Sequence, residues 1–366
     1  MAAVTGSADK MAVVNWPGVS VVMPVLNEER HLAAAVGKVL DQDYPGELEV
    51  ILAVGPSSDR TEELAAELAA ADSRVRVVEN PRARTPYALN LGFAAAKHDV
   101  VVRVDGHGEL TDGYLRRAVE LLEETGAANV GGVMDARGVT PFEQAIAATY
   151  MSRLGLGGAK FHDADAAAGE AETVFLGVFR KEAVEAVGGF DEAMYRAQDW
   201  ELNYRLRRSG RRIWFSPELR VTYRPRSTLG ELVRQMYGTG IWRREVVRRH
   251  PDTLSLRYLA PPILVLGLVG GTLTGLIGLL TRNRLLQAGW AAPAGYLALV
   301  VGGAVTAPQG TSPAARVRLP LVLAVTHISW GLGFLVGRRR SEWSPPGVRR
   351  DLPRPDGAPR GSSRSR

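Results

Sequence analysis

No cysteine occurs among the 366 residues, so neither a disulfide framework nor a thiolate zinc site can contribute to folding or chemistry. Two common phosphate loops are missing as well. The first apolar run leads into PVLNEE and not into G-x-G-x-x-G, which argues against a dinucleotide-binding dehydrogenase, and no glycine-rich loop ends in Lys-Ser or Lys-Thr. The opening stretch MAAVTGSADKMAVVNWPG holds no apolar run of signal-peptide length; residues 1–17 read as a flexible lead-in, and secretion is not expected. The formal charge of +6 is no sign of a nucleic-acid partner. Much of the arginine excess lies between residues 205 and 257 and after 338, where it flanks apolar segments, and this favours an anionic membrane surface.

What is present begins with DVVVRVDGHGEL, residues 99–110. A continuous valine run reads as a strand buried on both faces, and ligands of α/β domains gather beyond the carboxyl ends of such strands. Asp105 and His107 would stand there, on a loop whose glycines allow close approach. A carboxylate and an imidazole so placed suit a divalent ion bridging phosphates; a turn capped by Asp105 beside a solvated histidine is the competing reading.

Around this run, residues 19–105 alternate short apolar stretches with helical patterns in the order β-α-β-α-β-α-β, which predicts a mostly parallel sheet covered by helices. Asn27 stands as the cap of a helix over 28–40 that buries Leu32, Val36, Val39 and Leu40, and Ser57-Ser58-Asp59 opens a second helix over 61–71. Further on, helix 112–124 and strand NVGGVMDA are expected, then a small-residue passage over 145–171 that is loop-like at FHDADAAAGEAE. In QDWELNYRLRRSG, Leu202 and Leu206 recur at i and i+4, so Asp199 and Glu201 fall in the first turn of a helix ending at Gly210, with Asp199 facing the same cleft as Asp105. Arg205, Arg207 and Arg208 read as a solvated helix face.

The last third holds three largely apolar segments, 259–281, 285–307 and 319–337, each long enough to span a bilayer. Three spans would put Arg338 to Arg340 opposite a cytoplasmic catalytic domain, against the positive-inside tendency, so the middle segment is expected to be interfacial or re-entrant. Residues 231–257 read as an amphipathic interfacial segment, with Tyr237, Ile241, Trp242, Val246 and Val247 on one face and Arg243, Arg244, Arg248 and Arg249 as cationic heads. The basic tail 339–366, rich in Pro, Arg, Ser and Gly, is expected to be disordered.

VSVVMPVLNEE, SSDRT, ALNLGFAAAKHDVVVRVDGH, FRKEAVEAVGGFDE and QDWELNYRLRRSG occur in an order and at separations that resemble a family 2 glycosyltransferase of the GT-A fold. GPSSDRT, RVDGH and QDWELNYRLRR are further similar to the bacterial succinoglycan-type exopolysaccharide enzymes. The resemblance implies a GT-A domain over 18–230 followed by a membrane region over 258–338. It implies that Pro24, Asn27, Glu28 and Asp59 line the nucleotide pocket, that Asp105 holds Mn²⁺ or Mg²⁺ and that Asp199 is the catalytic base; beside these, Asn90 and Arg103 are expected to bind the nucleotide sugar and His107 to be the second metal ligand. Its implied partners are a nucleotide-sugar donor, a lipid-linked or glycan acceptor and membrane lipid, with the catalytic domain on the cytoplasmic side of the cell membrane.

Three positions depart from the family pattern: Arg103 replaces the first acid of D-x-D, Gly55 the Asp of the base-reading turn, and Gln198 the Glu of the catalytic pair. Q-x-x-R-W survives only as an echo in Gln235 and Trp242-Arg243. Two alternatives stand beside an inverting transferase. A processive synthase would want more spans and an intact Q-x-x-R-W; an inactive membrane scaffold would explain the departures but not the survival of Asp105 and Asp199.

Overall fold

In the computed structural model the described residues are 16–337, apart from 157 and 309. Residues 1–15, the arginines 338–340 and the basic tail therefore lie outside them. Valine and isoleucine fill β1 (Val19–Val25), β2 (Leu48–Val54), β3 (Val75–Glu79) and β4 (Val100–Arg103), which pair in parallel in the order β3-β2-β1-β4. Their connections are α1 (Leu32–Leu40), α2 (Thr61–Ala71) and α3 (Thr85–Ala95), so the predicted alternation is observed.

The second half adds β5 (Glu109–Leu110), α4 (Tyr114–Thr125), β6 (Asn129–Ala136), α5 (Pro141–Tyr150), β7 (Gly169–Glu170), β8 (Phe175–Arg180), α6 (Lys181–Ala186), α7 (Gln198–Arg208) and β9 (Ile213–Tyr223). The sheet runs β3-β2-β1-β4-β8-β6-β9-β5, with β7 also on β9 and β8 antiparallel to both neighbours. Because successive strand residues face opposite sides, Val21 and Met23 pack with α1 and α4 while Val22 and Val101 pack with Phe93 of α3 and Leu202 and Leu206 of α7. Two cores thus clamp one sheet, and its strand ends stay open for a ligand.

Three expectations change. The helix after β1 begins at Leu32 rather than Glu28, because the Asn27 side chain is turned to the next loop: its Oδ1 accepts from the Ser58 amide at 2.8 Å. Part of the small-residue passage is helix α5, started by a capping box in which Thr140 and Glu143 satisfy each other's backbone amides. Arg205 is no solvated residue either. It donates to the carbonyls of Val187 and Gly189 at 2.5 and 2.7 Å and pairs with buried Glu201, tying α7 to the turn before it.

Beyond the sheet come α8 (Leu229–Arg249), α9 (Leu256–Leu280), α10 (Arg284–Gln287), α11 (Ala291–Val305) and α12 (Pro313–Val336). Three segments are long and apolar enough to cross a membrane: Leu256–Leu280, Arg284–Val305 and Pro313–Val336. The middle one is interrupted by a 3₁₀ turn at Ala288–Trp290.

Much of the apolar surface of α8 is covered by protein, while Leu229 and Val233 in its first turns stay exposed. Gly240 meets the Trp330 backbone and Gly333 meets that of Tyr237, a contact between α8 and α12 too close for any Cβ. Trp242 and Val246 pack on Met194, while Leu232 and Met236 share a core with Ile146 and Tyr150 of α5 and Leu319 and Val322 of α12. The four arginines are engaged as well. Arg244 donates to the last carbonyls of α12, Phe334 and Leu335, at 3.0 Å; Arg248 and Arg249 pair with Glu245; Arg243 is stacked between Trp200 and Tyr258. Burial pushes the Arg243 guanidinium down to about 10.

Candidate active site

A cleft of about 2260 Å³ opens over the carboxyl ends of β1 and β4 and continues to α8 and α12, taking in Pro24 at one end and Trp330 and Val336 at the other. Its first wall is built by two cross-linked loops. The backbone amide of Asn27, at φ +56°, donates to Ser57 Oγ at 3.1 Å; the Glu28 amide donates to Thr61 Oγ1 at 2.8 Å; the Glu29 amide donates to Asp59 Oδ2 at 3.3 Å. Burial works against the charge of Asp59, but hydrogen bonds from Thr61 and Glu29 outweigh it and hold the carboxyl below its usual range. Pro24, Asn27, Glu28 and Asp59 all line the cleft.

The floor is the end of β4. Arg103, 5% exposed, donates through Nε and Nη2 to Asp105 Oδ1 at 3.0 and 2.9 Å and through Nη1 to Asp199 Oδ1. Burial opposes its charge, yet the two carboxylates hold it firmly protonated. The guanidinium thus stands between the two acids as a fixed cation. Asp199 reaches it from the first turn of α7, presented by Ala197, whose φ of +59° is a strained value for a residue with a Cβ. Burial raises the Asp199 carboxyl above its usual range in spite of Arg103. A carboxylate so tuned is a better proton acceptor near neutral pH.

Gly106 permits the loop to lie against Glu28, since any Cβ there would meet the Glu28 side chain at 2.9 Å. That contact brings His107 Nδ1 within 2.8 Å of Glu28 Oε1. Burial disfavours the imidazolium, but the bond to Glu28 outweighs it and the histidine is raised above its ordinary range. A carboxylate on Nδ1 fixes the ring so that Nε2 is the free donor, which is how metal-ligating histidines are usually oriented. Both bonds from Arg103 fall on Oδ1 of Asp105, leaving Oδ2 unengaged among the described residues. No group of three or more candidate metal ligands exists among the described residues. Two protein donors are the expected number when phosphate oxygens complete the shell of Mg²⁺ or Mn²⁺, so the donor set fits a cation shared with a diphosphate.

Asn90 does not belong to the cleft lining. Its side chain exchanges hydrogen bonds with the Phe190 backbone at 2.8 and 2.9 Å and reaches Glu192, which fixes the Gly-Gly-Phe-Asp turn that leads to α7. Other cleft residues had no local signal. Gln235 joins Tyr150 and Tyr223 by hydrogen bonds of 3.1 and 3.2 Å; buried Trp200 Nε1 and His162 Nδ1 have no partner among the described residues; Arg196 and Arg226 line the same wall. Only the echo at Gln235 could have pointed to them.

Glycosyl transferase family 2 matches residues 20–188. The succinoglycan biosynthesis protein ExoA of Rhizobium meliloti is 34% identical over 86% of this chain and 93% of its own. The dolichyl N-acetyl-alpha-D-glucosaminyl phosphate 3-beta-D-2,3-diacetamido-2,3-dideoxy-beta-D-glucuronosyltransferase of Methanococcus voltae is 22% identical over 87% of this chain and 96% of its own. Among solved structures, the mannosyltransferase PcManGT of Pyrobaculum calidifontis, determined with GDP-Man and Mn²⁺, superposes with a TM-score of 0.54 at 20% identity, covering 88% of this chain and 87% of that one. This last likeness concerns the fold, which is GT-A. With that fold, the matched motifs and a relative aligned over nearly its whole length, the chain is a glycosyltransferase and belongs to glycosyl transferase family 2.

Proposed function

We propose that the chain is a membrane-bound inverting transferase, which moves a sugar from a nucleotide-diphosphate donor to a lipid-linked or glycan acceptor in exopolysaccharide or cell-envelope polysaccharide synthesis. The catalytic domain lies on the cytoplasmic side in this reading. The observation that carries it is one continuous cleft, with Asp59 and Asn27 at one end, Asp105 and Asp199 in the middle, and long apolar helices at the other. ExoA, named for succinoglycan biosynthesis, supports the polysaccharide product, and the archaeal relative, named for a dolichyl-linked phosphate sugar, supports the lipid-linked acceptor.

In the reaction a bond forms between the acceptor oxygen and the anomeric carbon as the bond from that carbon to the diphosphate breaks, its electron pair leaving with the diphosphate. Asp199 takes the proton of the attacking hydroxyl. Arg103 keeps that carboxylate ionised and aimed. Asp105 and His107, with Glu28 behind the imidazole, would hold a divalent cation, which supplies electrostatic stabilisation of the departing diphosphate. Pro24, Asn27 and Asp59 shape the nucleotide end.

The test is hydrolysis of a panel of nucleotide sugars by the full-length protein in detergent with Mn²⁺, followed by mass spectrometry of lipid-linked intermediates in a deletion strain. One sugar donor should be turned over, and one lipid-linked intermediate should accumulate one sugar short. Absence of both donor binding and an accumulated intermediate refutes the proposal.

A further inference from the structure

Most arginines of the catalytic domain have acids or carbonyls as partners. Arg196 has neither among the described residues, although it sits in the cleft three positions before Asp199 and its guanidinium lies against Gly238 of α8. Burial lowers its affinity for a proton, and the neighbouring charge of Arg226 lowers it further. Arg226, in the turn between β9 and α8, is likewise without an acid partner among the described residues and faces the same cleft. Arg196 is half-buried and Arg226, more exposed, adds a second positive charge on the same side of the cleft, an arrangement that an anion lying between them would favour.

Position decides which anion. The cation-holding pair Asp105 and His107 and the nucleotide loops lie toward β1 and β4, whereas Arg196 lies against α8, two residues before the Gly240 contact with α12. Beyond it the cleft is walled by Tyr237, Ile241, Trp242, Trp330 and Val336, apolar or amphipathic side chains on the elements that meet the membrane helices. Tyr223, held by Gln235, adds a hydroxyl beside the two arginines.

We propose that Arg196, backed by Arg226, is the acceptor's anion subsite: it grips the phosphate or diphosphate that joins a membrane lipid to the acceptor glycan, and so sets the attacking hydroxyl at Asp199. The inference rests on the transferase reading above and adds to it the chemistry of the acceptor and the residues that recognise it. A guanidinium fork matches a phosphate bidentately, and the apolar wall that follows receives the first part of the lipid chain.

The experiment uses the full-length protein in detergent micelles, with binding read by titration calorimetry and by the change in tryptophan fluorescence to which Trp242 and Trp330 of the cleft wall contribute. The probes are farnesyl diphosphate, farnesol and inorganic pyrophosphate, alongside a nucleoside-diphosphate panel. Wild type should bind farnesyl diphosphate at least about tenfold more tightly than farnesol or pyrophosphate. Arg196→Gln should weaken farnesyl diphosphate by about tenfold or more, as expected for loss of a charge-assisted hydrogen bond, and Arg226→Gln by less; the nucleoside diphosphate that wild type prefers should shift under about twofold. Arg196→Lys keeps the charge, loses the fork and should fall between, which keeps the test open if the glutamine variant does not fold.

Equal loss of farnesyl diphosphate and nucleoside-diphosphate affinity in Arg196→Gln would place the arginine on the donor side and overturn the proposal. Pyrophosphate bound as tightly as farnesyl diphosphate would mean a free anion and overturn the lipid-linked part. If wild type binds no nucleoside diphosphate at all, the transferase reading itself fails; if it binds one but shows no preference for farnesyl diphosphate, only this inference falls.

Discussion

Replacing Arg103 by methionine keeps length and removes the cation that joins Asp105 to Asp199. The effect on Asp199 can be sized. Charges about 4 Å apart at an effective dielectric of about 20 interact by about 4 kcal/mol, a ceiling of roughly three pKa units. Rearrangement and entering water reduce this, so a shift of about one unit or more is expected. The sign follows from the ionisation: burial already raises Asp199, Arg103 opposes that rise, and without it the carboxyl keeps its proton to higher pH. The base must be ionised to act, so the acid limb of kcat/KM for transfer should move upward in pH by that amount. Removal of the guanidinium also leaves two partly buried carboxylates facing each other without the cation that joins them, so the melting temperature should fall. The assay is the pH profile of transfer, run beside thermal melting. A folded Arg103→Met protein whose acid limb stays where wild type has it would show that Asp199 is not the group being titrated, and the coupling argument would be refuted.

Asp199→Asn should lower transfer by about a hundredfold or more while donor affinity, read by titration calorimetry, changes little; parallel losses would make Asp199 a binding residue. Glu28→Gln removes the carboxylate that orients His107, so Mn²⁺ affinity measured by paramagnetic resonance should drop roughly 10- to 100-fold, and an unchanged affinity would exclude the imidazole as a ligand.

The parallel half of the sheet was legible because β1, β2 and β4 are apolar runs buried on both faces, with helical patterns between the strands. Helix 61–71 and strand 129–136 coincide with α2 and β6. Asp105 and Asp199 were legible from motif and helix position together. What stayed hidden depends on contacts between distant segments. Asn90 carries the same side chain whether it meets a nucleotide or, as here, the Phe190 backbone; Glu28 faces His107 only because Gly106 allows two loops to touch. The pairing of Arg103 with Asp199, 96 positions away, has no trace in local spacing.

The amphipathic pattern of α8 is the most instructive case, because an apolar stripe with arginines beside it reads alike against lipid and against another helix. Here Trp242 and Val246 of the stripe pack on Met194, and Leu232 and Met236, in the two turns before it, meet Leu319 and Val322 of α12 and Ile146 of α5 in one shared core. A chain cut after Pro251 would lose α12 and expose that core. Each large apolar side chain so uncovered forfeits about 1.5–3 kcal/mol, and several together rival the 5–15 kcal/mol that holds a whole domain folded. Such a truncated protein should therefore aggregate or melt well below the full-length protein in the same detergent, and adding anionic vesicles should not restore it, since Arg248 and Arg249 keep Glu245 and Asp191 as partners and the uncovered core lacks apolar contacts rather than anions. A truncated chain that is monodisperse and melts with the full-length protein would mean that α12 is an accessory to the catalytic domain and not part of its core.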